Sequence, residues 1–242
     1  ERMEPLQLQA LLNEVFSRLT HIIRNHKGTI DKYMGDCVMA FWGAPVATPD
    51  HAHLAVSAAL EMAQAVEQLN IDHRARGLPE IGVGIGLNTG IMCVGDMGSD
   101  IRRSYTVIGD AVNLGSRLEG LSKYYGGSIV VSESTQSRAP QFAWQQMDLV
   151  RVKGKAQSVA IYQPLSTLSE LTPQGADQLI IWAQFLKAYW QQQWAQCDES
   201  LTQLTRSKPL STLQELYAAR LAQRRSEPFD PDWDGATNFD TK

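Results

Sequence analysis

Apolar residues recur at helical spacing from the start of the chain. Leu6, Leu8, Leu11, Leu12, Val15, Phe16, Leu19, Ile22 and Ile23 predict an amphipathic helix over 5–26. The period then shortens. β-Branched and aromatic residues from Thr29 to Tyr33, a Gly35-Asp36 turn and the apolar run from Cys37 to Trp42 predict a hairpin over 29–42. A helix over 49–76, a strand over 80–89, a second hairpin over 91–109, a helix over 111–125, a strand over 128–131, a short helix and strands near 142–163 follow. Strands interleaved with long helices predict a mixed α/β (α+β) fold. A polar linker over 166–175 leads to a second region, 176–242, in which residues 176–205 and 211–223 predict two amphipathic helices joined at Ser207-Lys208-Pro209. Tyr189, Trp190, Trp194 and Ala195 give this pair a tetratricopeptide-like flavour, but one helix pair is not a repeat array. Its Trp-rich faces read more readily as a small satellite core covering the first region than as a docking site for a partner.

Composition narrows the function classes. At 242 residues the chain can bury one good core and a smaller second module. A hydrophobic content of 43%, a charged content of 20% and a net charge of −4 are ordinary for a globular protein and give no reason to expect nucleic acid as a partner. No run of eighteen or so apolar residues exists, so no contact with a membrane is expected within the chain. Cys37, Cys93 and Cys197 are odd in number and far apart, which argues against a disulfide framework and for a reducing cytoplasm. His21, His26, His51, His53 and His73 have no carboxylate or Cys at ligand spacing, so no zinc site is expected. The Gly82-x-Gly-x-Gly run sits inside a strand with no helix directly after it, and close packing of the strand backbone explains it better than a dinucleotide loop does.

Two segments hold most of the candidate chemistry, Lys32-Tyr-Met-Gly-Asp36 and the stretch from Tyr105 to Arg117. The second reads as a strand, a Gly109-Asp110 break and a helix on which Asn113 and Arg117, four apart, share one face. Singly, each residue has a structural role: Asp36 as a turn former, Lys32 as a strand-edge charge, Thr106 as a strand former, Asn113 and Arg117 as helix-surface polar groups, and Lys153 as the flank of a Gly turn. Together and in this order they resemble the nucleotide-binding motifs of the class III nucleotidyl cyclases. Gly82 to Gly90, Val94 to Ser99, Tyr124 to Val131 and Arg151-Val-Lys-Gly-Lys155 also stand at family positions, so the resemblance covers residues 1–165.

That resemblance implies a ferredoxin-like catalytic domain over 1–165 and an adenylate cyclase that converts ATP to 3′,5′-cyclic AMP and pyrophosphate, a phosphorus–oxygen lyase. It implies Lys32 as the donor to adenine N1, Thr106 as the acceptor of the adenine amino group, Asn113 orienting the ribose, Arg117 stabilising charge on the α-phosphate, and Lys153 at the terminal phosphates. Asp36 becomes one of a carboxylate pair that holds two magnesium or manganese ions (Mg2+ or Mn2+) per site. The other carboxylate belongs to a Phe-x-Asp-x-x-Gly-Phe-type segment expected upstream of Glu1. The family places the site at a head-to-tail interface, so a homodimer is implied. The C-terminal tail from Pro228 to Lys242 resembles those of membrane-anchored bacterial adenylate cyclases with an extracytoplasmic sensor, which implies a parent anchored in the inner membrane with this portion on the cytoplasmic side. The alternative is a non-catalytic module that binds nucleotide or dimerises.

Overall fold

The computed structural model describes residues 3–153, 157–206 and 208–239. Helix α1 (Pro5–Asn25) opens with Pro at its first turn, where a missing N–H costs nothing, and buries Val15, Leu19, Ile22 and Ile23. The front of the predicted apolar stripe is not buried, and Leu6 stays exposed. Strands β1 (Thr29–Met34) and β2 (Cys37–Phe41) form an antiparallel hairpin whose turn places Gly35 at φ 62°, a left-handed conformation that glycine adopts without strain. Helix α2 (His51–Ala75) buries an Ala-rich face built on Ala52, Ala55, Val56, Ala58 and Ala59.

Strand β3 (Ile85–Leu87) is shorter than the 80–89 expected, because Glu80–Gly84 runs outside the hydrogen-bonded ladder. Strands β4 (Cys93–Gly98) and β5 (Arg103–Ile108) make the second hairpin, followed by α3 (Asp110–Tyr125), β6 (Ile129–Ser132), the short α4 (Glu133–Gln136), β7 (Phe142–Val152) and β8 (Val159–Thr167). The next region holds three helices: α5 (Pro173–Trp190), α6 (Trp194–Thr205) and α7 (Thr212–Arg224). The single helix expected over 176–205 is broken at Gln192, which takes φ 56°, and the chain turns back so that α6 packs on α5. The polar connection is also shorter than its predicted span, since β8 continues through Ser166 and Thr167 and α5 starts at Pro173. The tail adds a strand the sequence pattern did not announce, β9 (Thr237–Phe239).

The main sheet has the order β3-β6-β8-β7-β9, with β3/β6 and β7/β9 parallel and the inner pairs antiparallel. Both hairpins lie outside its hydrogen-bonded ladder. Helices cover both faces of the sheet. On β6, Ile129 and Val131 join the core under α1 and α2, while Val130 joins the core formed by α3, α5, α6 and α7; this alternation is the period-2 pleat seen from its two sides. A strand buried on both sides needs no polar face, and all four residues of β6 are buried. Trp182, Phe185 and Tyr217 share one core with Leu118, Tyr125 and Met147, so the C-terminal helices pack directly on the layer that carries α3.

Candidate functional site

The β1–β2 hairpin offers Lys32 and Asp36, both exposed. Its ladder is irregular at one place. The register passes from Ile30 opposite Ala40 to Lys32 opposite Met39, leaving Asp31 without a partner strand residue. Such a bulge frees the side chain at that residue from the strict alternation of a strand. Asp31 turns inward until its side chain is 0% exposed, and Lys32 keeps its ammonium 3.2 Å from Asp31 Oδ1. The opposite oxygen reaches the second hairpin: the Thr106 hydroxyl donates to Asp31 Oδ2 at 2.5 Å and the Val107 N–H donates to it at 3.3 Å. Lys32 and Thr106, predicted from segments over seventy residues apart, therefore converge on one carboxylate.

Helix α3 supplies the remaining pair, and its placement rests on glycines. Gly109, at φ 155°, ends β5 and starts the helix. A Cβ on Gly86 would stand 2.2 Å from the Gly115 carbonyl oxygen and 2.4 Å from the Glu119 nitrogen, so β3 and α3 meet backbone to backbone. This is the close packing expected of the Gly-x-Gly run. Asn88 ties down the first turn by donating to the Ala111 carbonyl at 2.8 Å, and its own carbonyl accepts from Ser134 at 3.0 Å. Asn113 is exposed and Arg117 half-buried on the resulting helix face.

Asp36 and α3 also approach one another. The Glu119 carboxyl is raised above its ordinary value first by burial and then by the charge of Asp36, and the Cys37 thiol is raised by burial, Glu119 and Asp36 in that order. The space between the turn and the helix is thus electronegative. Among the described residues no group of three or more His, Cys, Asp or Glu could hold a metal ion. A magnesium-type cation needs fewer, since it binds through one or two carboxylates and completes its shell with water and phosphate oxygens. Asp36 fits that limited demand. Lys153 is exposed in the turn after β7, and among the described residues no hydrogen bond or ion pair joins it to Lys32, Asp36, Thr106, Asn113 or Arg117; Lys155 lies outside the described residues. Sequence reasoning missed Asp31 and Glu119. Beside Lys32 in a strand that also carries Thr29, Asp31 reads as a surface charge, and only its meeting with Thr106 across the two hairpins marks it out.

A chain with this fold and these segments has counterparts among known proteins. The sequence pattern of the adenylate and guanylate cyclase catalytic domain matches residues 1–164. The chain belongs to this cyclase family. The match ends within β8, so α5, α6, α7 and β9 lie beyond the matched residues. Curated relatives include adenylate cyclase 1 of Rhizobium meliloti, 36% identical over 164 residues that make up 67% of this chain and 25% of that protein. The adenylate cyclase of Anabaena cylindrica is 37% identical over 171 residues, 67% of this chain and 33% of the relative. The chain thus spans a quarter to a third of the length of these relatives. Among solved structures, the adenylyl cyclase CyaB from P. aeruginosa aligns with TM-score 0.64 and 34% identity, covering 71% of this chain and 88% of that one. The guanylate cyclase domain of RhGC from Catenaria anguillulae, in complex with GTP, aligns with TM-score 0.60 and 28% identity, over 69% of this chain and 87% of that one. Both cyclase structures are mixed α/β folds of the kind described above, as the sequence pattern predicted.

Proposed function

We propose that this chain is the catalytic portion of an adenylate cyclase, converting ATP to 3′,5′-cyclic AMP and pyrophosphate. One observation carries the choice of adenine: Lys32, which can only donate, and Thr106, whose hydroxyl proton is committed to Asp31, stand side by side. Adenine presents an acceptor at N1 and a donor at its amino group, the complement of that pair. Asn113 holds the ribose and Arg117 faces the α-phosphate, where its guanidinium gains interaction energy as charge builds on the non-bridging oxygens. Lys153 contacts the terminal phosphates. A divalent cation at Asp36, magnesium or manganese, neutralises the polyphosphate when bound. Positioning and charge neutralisation are the main demands of phosphoryl transfer, so a protein that supplies them needs no covalent intermediate.

The apolar exposed residues Ile91, Ile101, Tyr105 and Ile108, spread along the β4–β5 hairpin from its turn to its open end, support assembly as a homodimer. Residues 1–165 form the cyclase domain in this reading, and residues 176–242 form an extension whose helices α5, α6 and α7 share a core with α3. No helix among the described residues is long and apolar enough to cross a membrane. The resemblance of the tail to those of anchored cyclases favours a parent held in the bacterial inner membrane through a segment outside this chain, with this portion on the cytoplasmic side.

The test is cyclic nucleotide production from ATP and from GTP with manganese, by this chain and by a version extended upstream. ATP-dependent product that is lost in Lys32→Glu supports the reading. A folded, ATP-binding protein that makes no product in either form refutes it and leaves a nucleotide-binding module.

A further inference from the structure

Asp31 touches both residues proposed to read the base, and its carboxylate lies away from the surface. Its side chain is fully buried in the seam between the hairpins, Thr106 is 7% exposed and Val107 is buried. Oδ2 accepts from the Thr106 hydroxyl and the Val107 N–H. Oδ1 faces the Lys32 ammonium at 3.2 Å, a distance that makes an ion pair, yet no donor meets it with hydrogen-bond geometry. The ammonium sits on a flexible four-carbon stem and can swing onto Oδ1 without moving the strand.

We infer that Asp31 is a positioning residue that sets the hydrogen-bond polarity of Thr106, and thereby the preference for adenine over guanine; this rests on the adenylate cyclase reading above. A threonine hydroxyl is ambivalent, with one proton and two lone pairs. An ionised carboxylate accepts only. Beside Asp31 the hydroxyl must therefore spend its proton on Oδ2, and what it offers a ligand is a lone pair. That lone pair suits the adenine amino group and opposes guanine O6. The same carboxylate holds the Lys32 ammonium near Thr106, where it suits adenine N1 and opposes the guanine N1–H. Both mismatches against guanine come from one charge that touches no part of the nucleotide. Sites that leave a buried polar group unpaired with the wrong ligand discriminate far more strongly than apolar pockets do.

Asp31→Asn tests this in the full 242-residue chain. The amide keeps the volume but can donate to Thr106, which frees the hydroxyl proton to turn toward the ligand. Binding of ATP and GTP labelled on the ribose is measured by fluorescence, with cyclic nucleotide output as the second readout. The ratio of ATP to GTP affinity is expected to fall about tenfold in Asp31→Asn, the effect of one reversed hydrogen bond. Asp31→Glu keeps an acceptor-only partner and should keep the preference. In a Thr106→Val background, Asp31→Asn should change the ratio no further. An unchanged ratio in Asp31→Asn, an equal loss of both nucleotides, or a full effect surviving in Thr106→Val overturns the inference and leaves Asp31 a structural residue. A wild-type chain that binds ATP and GTP equally overturns the adenine reading along with it. Should Asp31→Asn not fold, the wild-type Thr106 hydroxyl proton decides: it is expected as a slowly exchanging NMR resonance, and rapid exchange with water overturns the inference.

Discussion

Arg220→Met removes a cation from Asp148, the carboxylate that accepts the most hydrogen bonds among the described residues. Asp148 on β7 is 1% exposed and accepts from Tyr125 at 2.6 Å, from Arg220 at 2.7 Å, from Thr237 at 2.7 Å and from the Leu149 N–H at 2.7 Å. These donors come from the end of α3, from α7, from the first residue of β9 and from β7 itself. Burial, and then the charge of Asp148, push the Tyr125 phenol well above its usual value, so it remains a donor at any working pH. Arg220 also donates to the Tyr124 hydroxyl at 3.2 Å and stacks over the Tyr217 ring at 4.9 Å. Methionine fills similar space and leaves the carboxylate buried without its counter-charge. Breaking a buried pair from one side costs about 3–5 kcal/mol. In a chain of this size each kcal/mol shifts Tm by roughly 2–4 °C, so Tm should fall by on the order of 10 °C. Melting followed by circular dichroism measures the loss. Asp148→Asn combined with Arg220→Met should recover about half or more of the loss, because the penalty is the unpaired charge more than the missing attraction. A Tm within about 2 °C of wild type for Arg220→Met, or a double variant as unstable as the single, would refute the reasoning.

Three further expectations follow from local geometry. Gly86→Ala forces a methyl group into the α3 backbone, and the shift it imposes on Asn113 and Arg117 should lower cyclase activity at least tenfold while costing about 1–3 kcal/mol of stability, read by product formation and by denaturant titration. Iodoacetamide should label Cys93 first, Cys37 more slowly because burial and the charges of Glu119 and Asp36 raise its thiol, and Cys197 not at all, because burial pushes that thiol up to about 12; native-state mass spectrometry that found Cys197 alkylated would contradict the packing of α6. The Asp234 carboxyl is held below 3.8 by the Ala236 N–H first and by Arg151, so it stabilises the tail above that value, and the contribution is lost as pH falls below 3.8 through its lower folded value. Chemical shifts of the β9 amides followed as pH is lowered from 6 through the acid limb should report this release, and Asp234→Asn should remove the change.

The order and type of most elements were legible because period and turn chemistry are short-range. The 29–42 hairpin is announced by its β-branched run and Gly35-Asp36, the start of α3 by Gly109-Asp110, and α1 by its apolar stripe. The roles proposed for Lys32, Asp36, Thr106, Asn113 and Arg117 were legible as an ordered set whose members mean little singly. Three things were not. The break at Gln192 depends on a left-handed residue that is neither glycine nor asparagine, and a continuous apolar pattern hides it. Strand β9 is three residues long and exists because β7 leaves an edge for it to pair with, an edge no local window can see. Asp31 and Asp148 look like surface charges in the sequence, and their burial is decided by donors that lie 75 and 72 residues away in Thr106 and Arg220. A charge goes inside only when the tertiary structure brings it partners, so the sequence by itself determined which chemistry was available, and the meeting of distant strands and helices decided which carboxylates organise it.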